Sequence, residues 1–280
     1  PNAAGLTPMI DRAQTVRLGE NLVTTGNLSP AAMERTLTGL RDYAAMARTY
    51  APRKIICFGT AALRRARNRD VFCQQVKEQL GWMVRILSPE EEARYTFRGA
   101  LSSLDVLTPD TASLVIDIGG GSTEIVYGRG NTIDYQTSIP MGAVIAQEYY
   151  QLQETINTTD YKEICDHLHR LWQQLPPIPP ETTTLLTGGT ATTLAALLQK
   201  LQDYDVAAID GYALTRASIT AQYQQLNQLS LKQRSALAGM EPGRADIILP
   251  ALLILLTLLE HLEVEEVRVS GRGARYGLLL

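Results

Sequence analysis

Residues 115–126, Val-Ile-Asp-Ile-Gly-Gly-Gly-Ser-Thr-Glu-Ile-Val, place two carboxylates, three glycines and two hydroxyls in one short turn between apolar segments. A hairpin tip of this composition can wrap a phosphate. Glycines let backbone N–H groups approach an anion with no Cβ in the way, and they permit positive φ. Asp117 and Glu124 are hard oxygen donors suited to Mg2+ or Mn2+, and Gly119, Gly120, Gly121, Ser122 and Thr123 are candidate phosphate donors. A glycine-rich tip alone would read as an ordinary tight turn. Two acids and two hydroxyls beside it point to phosphate and metal chemistry.

Two further apolar segments end in similar turns. Residues 184–187 run into Gly188-Gly189-Thr190, and Glu266–Ser270 runs into Gly271-Arg272-Gly273. Open α/β sheets bind ligands at such strand ends, so three turns converging there would surround a polyphosphate with backbone donors. The plain alternative for the second turn is a strand-to-helix connection.

The elements that must position these turns alternate in type, which predicts an α/β fold. Ser29-Pro30 caps a helix that carries Met33, Leu37, Leu40, Ala44 and Ala47 at helical spacing over 27–50. A short buried strand comes next at 54–60, then a helix over 69–80 and a strand at 82–87. Ser88-Pro89-Glu90-Glu91-Glu92 opens another helix, with acids in the first turn where they complement the dipole. The hairpin at 114–127 leads to a third strand near 133–138 and to helical pattern from 142 to 172. Pro176-Pro177-Ile178-Pro179-Pro180 is a stiff extended connector. Beyond the second turn come an alanine- and leucine-rich helix, a polar helix near 216–229, an apolar helix over 244–261, and a last helix after Gly273.

The 280 residues suffice for two domains, and the net charge of −3 gives no reason to expect nucleic-acid affinity. Cys57, Cys73 and Cys165 are far apart and lack metal-ligand spacing, so they read as reduced thiols of a cytoplasmic protein. The longest apolar run, 247–259, is broken by Pro250 and Thr257 and falls short of the roughly 18 residues a membrane span needs. The chain opens at Pro1 without a signal pattern and closes on Leu278-Leu279-Leu280, so the natural protein is expected to extend past both ends.

The 115–128 segment (VIDIGGGSTEIVYG) resembles the second phosphate loop of the exopolyphosphatase and guanosine-pentaphosphate phosphatase family, within the actin, hexokinase and heat-shock-chaperone ATPase superfamily. Residues 58–68 (FGTAALRRARN), 88–100 (SPEEEARYTFRGA) and 187–197 (TGGTATTLAAL) are similar to further segments of that family, as are EPGRADIILPALLILL and VSGRGARYGLLL. The resemblance covers nearly the whole chain. It implies two ribonuclease-H-like, actin-like domains with a cleft between them, expected over 1–110 and 111–280. One departure stands out: the family's first phosphate loop, of Asp-x-Gly-Ser-Asn type, has no counterpart between Pro1 and Glu20. Residues 16–20 nevertheless resemble the family segment that normally comes directly after that loop.

The resemblance implies a phosphohydrolase that releases terminal orthophosphate from inorganic polyphosphate or guanosine pentaphosphate. Glu92 matches the residue that would orient and deprotonate the attacking water. Asp117 and Glu124 would hold Mg2+ or Mn2+, Gly188, Gly189 and Thr190 would form a second cradle, and Arg64 would meet a phosphate bidentately. The bland alternatives are solvated first-turn acids for Glu90, Glu91 and Glu92, a solvated basic face for Arg65, Arg67 and Arg69, and an Arg94–Glu90 helix pair. Arg244 and Arg272 are weaker phosphate candidates. His167 and His169 face different sides of a helix and make a poor metal site even with Cys165 nearby, while His261 caps its helix. Two other functions suit the same turns: a superfamily kinase or ATPase, and a non-catalytic polyphosphate or nucleotide sensor. The expected partners are the phosphate substrates, with no nucleic acid and no membrane; a homodimer is compatible with the resemblance. The chain's length resembles the short subclass, so short phosphate chains or guanosine pentaphosphate are expected at least as much as long polymer.

Overall fold

The computed structural model describes residues 6, 8–103, 111–152 and 154–280. It is mixed α/β and divides into two compact units, Ile10–Glu92 and a larger one containing Ala93–Leu280.

The smaller unit runs α1 (Leu22–Thr25), α2 (Pro30–Thr49), β1 (Cys57–Gly59), α3 (Ala61–Arg65), α4 (Arg69–Leu80) and β2 (Val84–Ile86). Ser29 accepts the Ala32 amide at 3.1 Å with Pro30 behind it, so α2 starts where the sequence places its cap. β1 and β2 pair in parallel, Phe58 opposite Arg85. Leu28, Leu37, Leu63, Phe72 and Val76 close a small core around them. Asn68 locks the chain entering α2, exchanging two hydrogen bonds with the Leu28 backbone at 2.8 and 2.9 Å.

Helix α5 (Pro89–Leu101) comes next. The Ser88 hydroxyl accepts the Glu91 amide at 3.1 Å and the Glu91 carboxylate accepts the Ser88 amide at 3.0 Å, a reciprocal cap that fixes the first turn. The division between units falls at Glu92/Ala93, inside this helix. Ala93, Phe97 and Ala100 explain why: they are buried on Val115, Val126 and Leu185 of the larger sheet. The boundary expected at 110/111 adjoins residues 104–110, which lie outside the described residues.

The larger unit is built on β3 (Ala112–Ile118), β4 (Thr123–Arg129), β5 (Thr132–Ile139), β6 (Thr183–Thr187), β7 (Ala213–Thr215) and β8 (Glu266–Ser270). Their order in the sheet is β5-β4-β3-β6-β8-β7, with β3, β6 and β8 mutually parallel. Its helices are α6 (Ala143–Tyr149), α7 (Thr158–Trp172), α8 (Gly188–Gln199), α9 (Val206–Ile209), α10 (Arg216–Asn227), α11 (Leu231–Ser235), α12 (Ile248–His261) and α13 (Ala274–Gly277). The helical pattern over 142–172 is thus two helices, and α7 starts anew at the Asn157 cap, which accepts the Thr159 and Asp160 amides.

Side chains alternate across a strand, so the sheet has two distinct faces. Leu114, Ile116, Ile118, Ile125 and Leu186 join the large core under α7, α8, α10 and α12. α12 is apolar around most of its circumference and is buried accordingly. Among the described residues no helix is long and apolar enough to cross a membrane. The opposite face carries the Val115, Val126 and Leu185 row covered by α5. One step further along that face the side chains turn polar.

Candidate active site

That next row crosses five strands in register: Ser138 opposite Glu124, Glu124 opposite Asp117, Asp117 opposite Thr187, and Thr187 opposite Ser270. Asp117, Thr187 and Ser270 stand at the C-terminal ends of the parallel strands β3, β6 and β8. The three glycine-bearing turns therefore leave the sheet side by side, at one level.

Two carboxylates directly opposite each other in a sheet repel, and Glu124 is only 2% exposed. A cation between them is the simple electrostatic remedy. The donor set fits Mg2+ or Mn2+, which use one or two carboxylates and complete their shell with water and substrate phosphate oxygens. No group of three or more His, Cys, Asp or Glu that could hold a metal occurs among the described residues, and this mode of binding needs none.

The first loop has its carbonyls turned into the protein. Gly119 O accepts the Ala143 amide at 2.9 Å, and Gly120 O accepts those of Val144 and Ile145 at 3.0 and 3.1 Å. Because a trans peptide is planar, the N–H groups of Gly120 and Gly121 point the other way. Gly142 makes this docking achievable, since a Cβ there would meet the loop backbone at 2.6 Å.

The hydroxyls depart from expectation. Ser122 Oγ donates to Glu124 Oε1 at 2.6 Å, Thr123 Oγ1 to Met141 O at 2.6 Å, and Thr190 Oγ1 to Ile118 O at 2.9 Å. All three are buried, and a buried hydroxyl needs a partner. These hydroxyls fasten the turns, so the backbone amides are the groups suited to meet an anion.

Gly188 begins α8 with φ +83°, and its Cα lies so close to Asp117 Oδ1 that a Cβ would overlap it. Gly189 lies under the Arg244 guanidinium in the same sense. Arg244, a minor candidate by sequence, thus reaches the second turn, held by Glu241 at 2.6 Å. No sequence pattern links Arg244 to Gly189; Gly243, at φ +80°, makes the bend that precedes it.

The third turn is an anchor. Asp210 Oδ1 accepts the Gly271 amide at 2.6 Å, and Arg272 points inward, donating to Ser102 O at 2.7 Å beside Asp210 Oδ2 at 3.7 Å. Thr187 and Ser270 hydroxyls both donate to Arg272 O.

In the smaller unit, Arg64 forms an ion pair with Glu92, their side chains 17% and 12% exposed, and also donates to Leu87 O at 3.0 Å. The arginine expected on phosphate is thus the partner of the expected base. Glu91 pairs with Arg85. The Ser88 hydroxyl donates to Glu90 at 2.7 Å, and that hydrogen bond holds this fully exposed carboxyl below its usual pKa. Arg94 lies over the Tyr95 ring at 5.2 Å. Arg67 packs on Gly26, and Arg69 stands 3.8 Å from Asp70.

His167 and His169 separate as expected: Nδ1 of His167 meets the Tyr150 hydroxyl at 2.9 Å, and His169 meets Glu260 at 3.4 Å. Burial pushes the Cys165 thiol up, and His261 stands in the last turn of α12.

Comparison with known proteins agrees with this architecture. The sequence matches the Ppx/GppA phosphatase family over residues 2–280. It is 32% identical to exopolyphosphatase 2 of Mycobacterium tuberculosis over 277 residues, covering 95% of this chain and 86% of that one. It is 28% identical to the guanosine-5'-triphosphate,3'-diphosphate pyrophosphatase of Photobacterium profundum, covering 94% of this chain and 52% of the relative. The crystal structure of the Aquifex aeolicus Ppx/GppA family member superposes with a TM-score of 0.79 at 31% identity, over 97% of this chain and 87% of that one. The fold is therefore the actin-like ATPase fold of these proteins. From its motifs, its sheet and its relatives alike, the chain belongs to the Ppx/GppA phosphatase family.

Proposed function

We propose that this protein is a phosphohydrolase that releases terminal orthophosphate from inorganic polyphosphate, guanosine pentaphosphate, or both. The observation that carries the proposal is the facing carboxylate pair Asp117 and Glu124 beside a glycine loop whose carbonyls are bound by α6. Phosphoryl transfer asks for charge neutralisation and positioning more than for covalent chemistry; the loop amides would supply positioning, and a cation held by the carboxylates would supply neutralisation.

The amides of Gly120 and Gly121 and those of the α8 N-terminus would bind phosphate oxygens, the latter where the helix dipole favours an anion. Arg244 would add a guanidinium over Gly189. Asp117 and Glu124 would hold Mg2+ or Mn2+, which when bound neutralises charge developing on the phosphate oxygens. Glu92 would take the proton of the attacking water, and Arg64 would fix the orientation of that carboxylate. The relatives' names support this chemistry, one being an exopolyphosphatase and another acting on guanosine-5'-triphosphate,3'-diphosphate. The three cysteines are free thiols, which supports a reducing, cytoplasmic setting.

Orthophosphate release from tripolyphosphate and from guanosine pentaphosphate, with Mg2+, tests the proposal in the wild type and Glu92→Gln. The expected result is turnover that falls at least about 1,000-fold in the variant with substrate binding retained. Binding without release by the wild type would leave a sensor. Phosphate transfer to an added acceptor in place of water would leave a kinase.

A further inference from the structure

We infer that Ser138 is a positioning residue for the Glu124 carboxylate and, through it, for the divalent cation. The inference rests on the assignment of Glu124 to the metal. Ser138 Oγ donates to Glu124 Oε1 at 2.7 Å, and Ser122 Oγ donates to the same oxygen at 2.6 Å. Two hydroxyl protons on one oxygen offset the desolvation of a carboxylate that is 2% exposed, and they select its rotamer.

The two serines differ in what holds them. Ser122 belongs to the glycine loop, next to the first residue of β4. Ser138 belongs to a β-ladder: it is the register partner of Glu124 on β5, next to the buried Ile139, which pairs with Thr123. Its backbone and that of Glu124 are thus fixed to each other whatever the loop does. With Ser138 alone removed, Glu124 Oε1 would keep one hydroxyl donor of two, and the carboxylate would lose the partner that the β-ladder sets opposite it. Hydrogen bonds to a ligating carboxylate of this kind typically change metal affinity by about 10–100-fold.

The test is equilibrium binding of Mn2+, read by its electron paramagnetic resonance signal with orthophosphate present, alongside tripolyphosphate turnover across a Mn2+ titration. Wild type, Glu124→Gln, Ser138→Ala and Ser138→Thr are compared. Expected are loss of binding in Glu124→Gln and binding weaker by about 10-fold in Ser138→Ala, with half-maximal turnover displaced to match. Ser138→Thr, which keeps the hydroxyl, restores most of both. Wild-type affinity in Ser138→Ala, with binding lost in Glu124→Gln, overturns the role of Ser138 and leaves the metal assignment standing. Wild-type affinity in Glu124→Gln overturns the metal assignment and this inference together. Equal weakening in Ser138→Ala and Ser138→Thr overturns the hydroxyl as the agent.

Discussion

Gly188→Ala separates backbone strain from displacement of Asp117. Gly188 has φ +83°, a region that costs a residue with a Cβ about 1–2 kcal/mol. Its added Cβ would also fall on Asp117 Oδ1, and forcing such a contact costs typically about 1–3 kcal/mol more. The sum is about 2–5 kcal/mol. Gly81 provides the reference, because it has φ +72° and an added Cβ there would meet nothing within 4 Å. Gly81→Ala therefore carries the strain alone, about 1–2 kcal/mol. Gly189→Ala completes the set: its Cβ meets the mobile end of Arg244, so stability should hold while KM rises. Urea unfolding gives the stabilities, and tripolyphosphate hydrolysis gives kcat and KM. Turnover of Gly188→Ala should fall about 100-fold, the usual effect of an ångström of misplacement. A Gly188→Ala protein no less stable than Gly81→Ala, with wild-type turnover, would refute the placement of Asp117 against the second turn.

Three further outcomes are expected. Arg64→Met should destabilise the smaller unit by about 2 kcal/mol, since Glu92 loses a partly buried partner, and Arg64→Met with Glu92→Gln should regain most of that in the same unfolding assay. Trp172→Phe should lower stability by about 2–3 kcal/mol with KM unchanged, because the Trp172–Thr257 hydrogen bond of 3.0 Å lies in the core on the far sheet face; calorimetry and steady-state kinetics check this. His167 is held below its usual 6.5, first by burial and then by Arg170. The folded state therefore binds fewer protons, so this contribution to stability is complete above pH 6.5 and lost as pH falls through the lowered value. His167→Gln should flatten that acid limb of the melting curve.

Most of the fold was legible because its signals are local. Caps at Ser29 and Ser88, the apolar run that becomes α12, and the glycine turns closing β3, β6 and β8 each act within a few residues. The misses are elements whose cause is distant. β7 is three residues long and exists because β8 pairs with it, Leu214 opposite Val267. The chain entering α7 is held in part by the Ile156 backbone bonding Asn227 at 2.7 and 2.8 Å, seventy-one positions away.

The site divides along the same line. Asp117, Glu124 and the first glycine turn read as one candidate cluster because a strand-turn-strand segment sets them two to seven residues apart. The direction in which each hydroxyl points depends on partners supplied by other strands, so Ser122, Thr123 and Thr190 read as phosphate donors in the sequence and act as fasteners in the structure. Register decides which residues can assist the carboxylates. It puts Ser138 opposite Glu124, and Thr187 opposite Asp117, where its hydroxyl bonds the third turn. The polar row thus has a physical order: outer hydroxyls hold, inner carboxylates face each other, and the glycines beside them orient amides. If Glu124 holds the proposed cation, a substitution at Ser138 should change Mn2+ affinity before it changes chemistry, and one at Glu124 should change both.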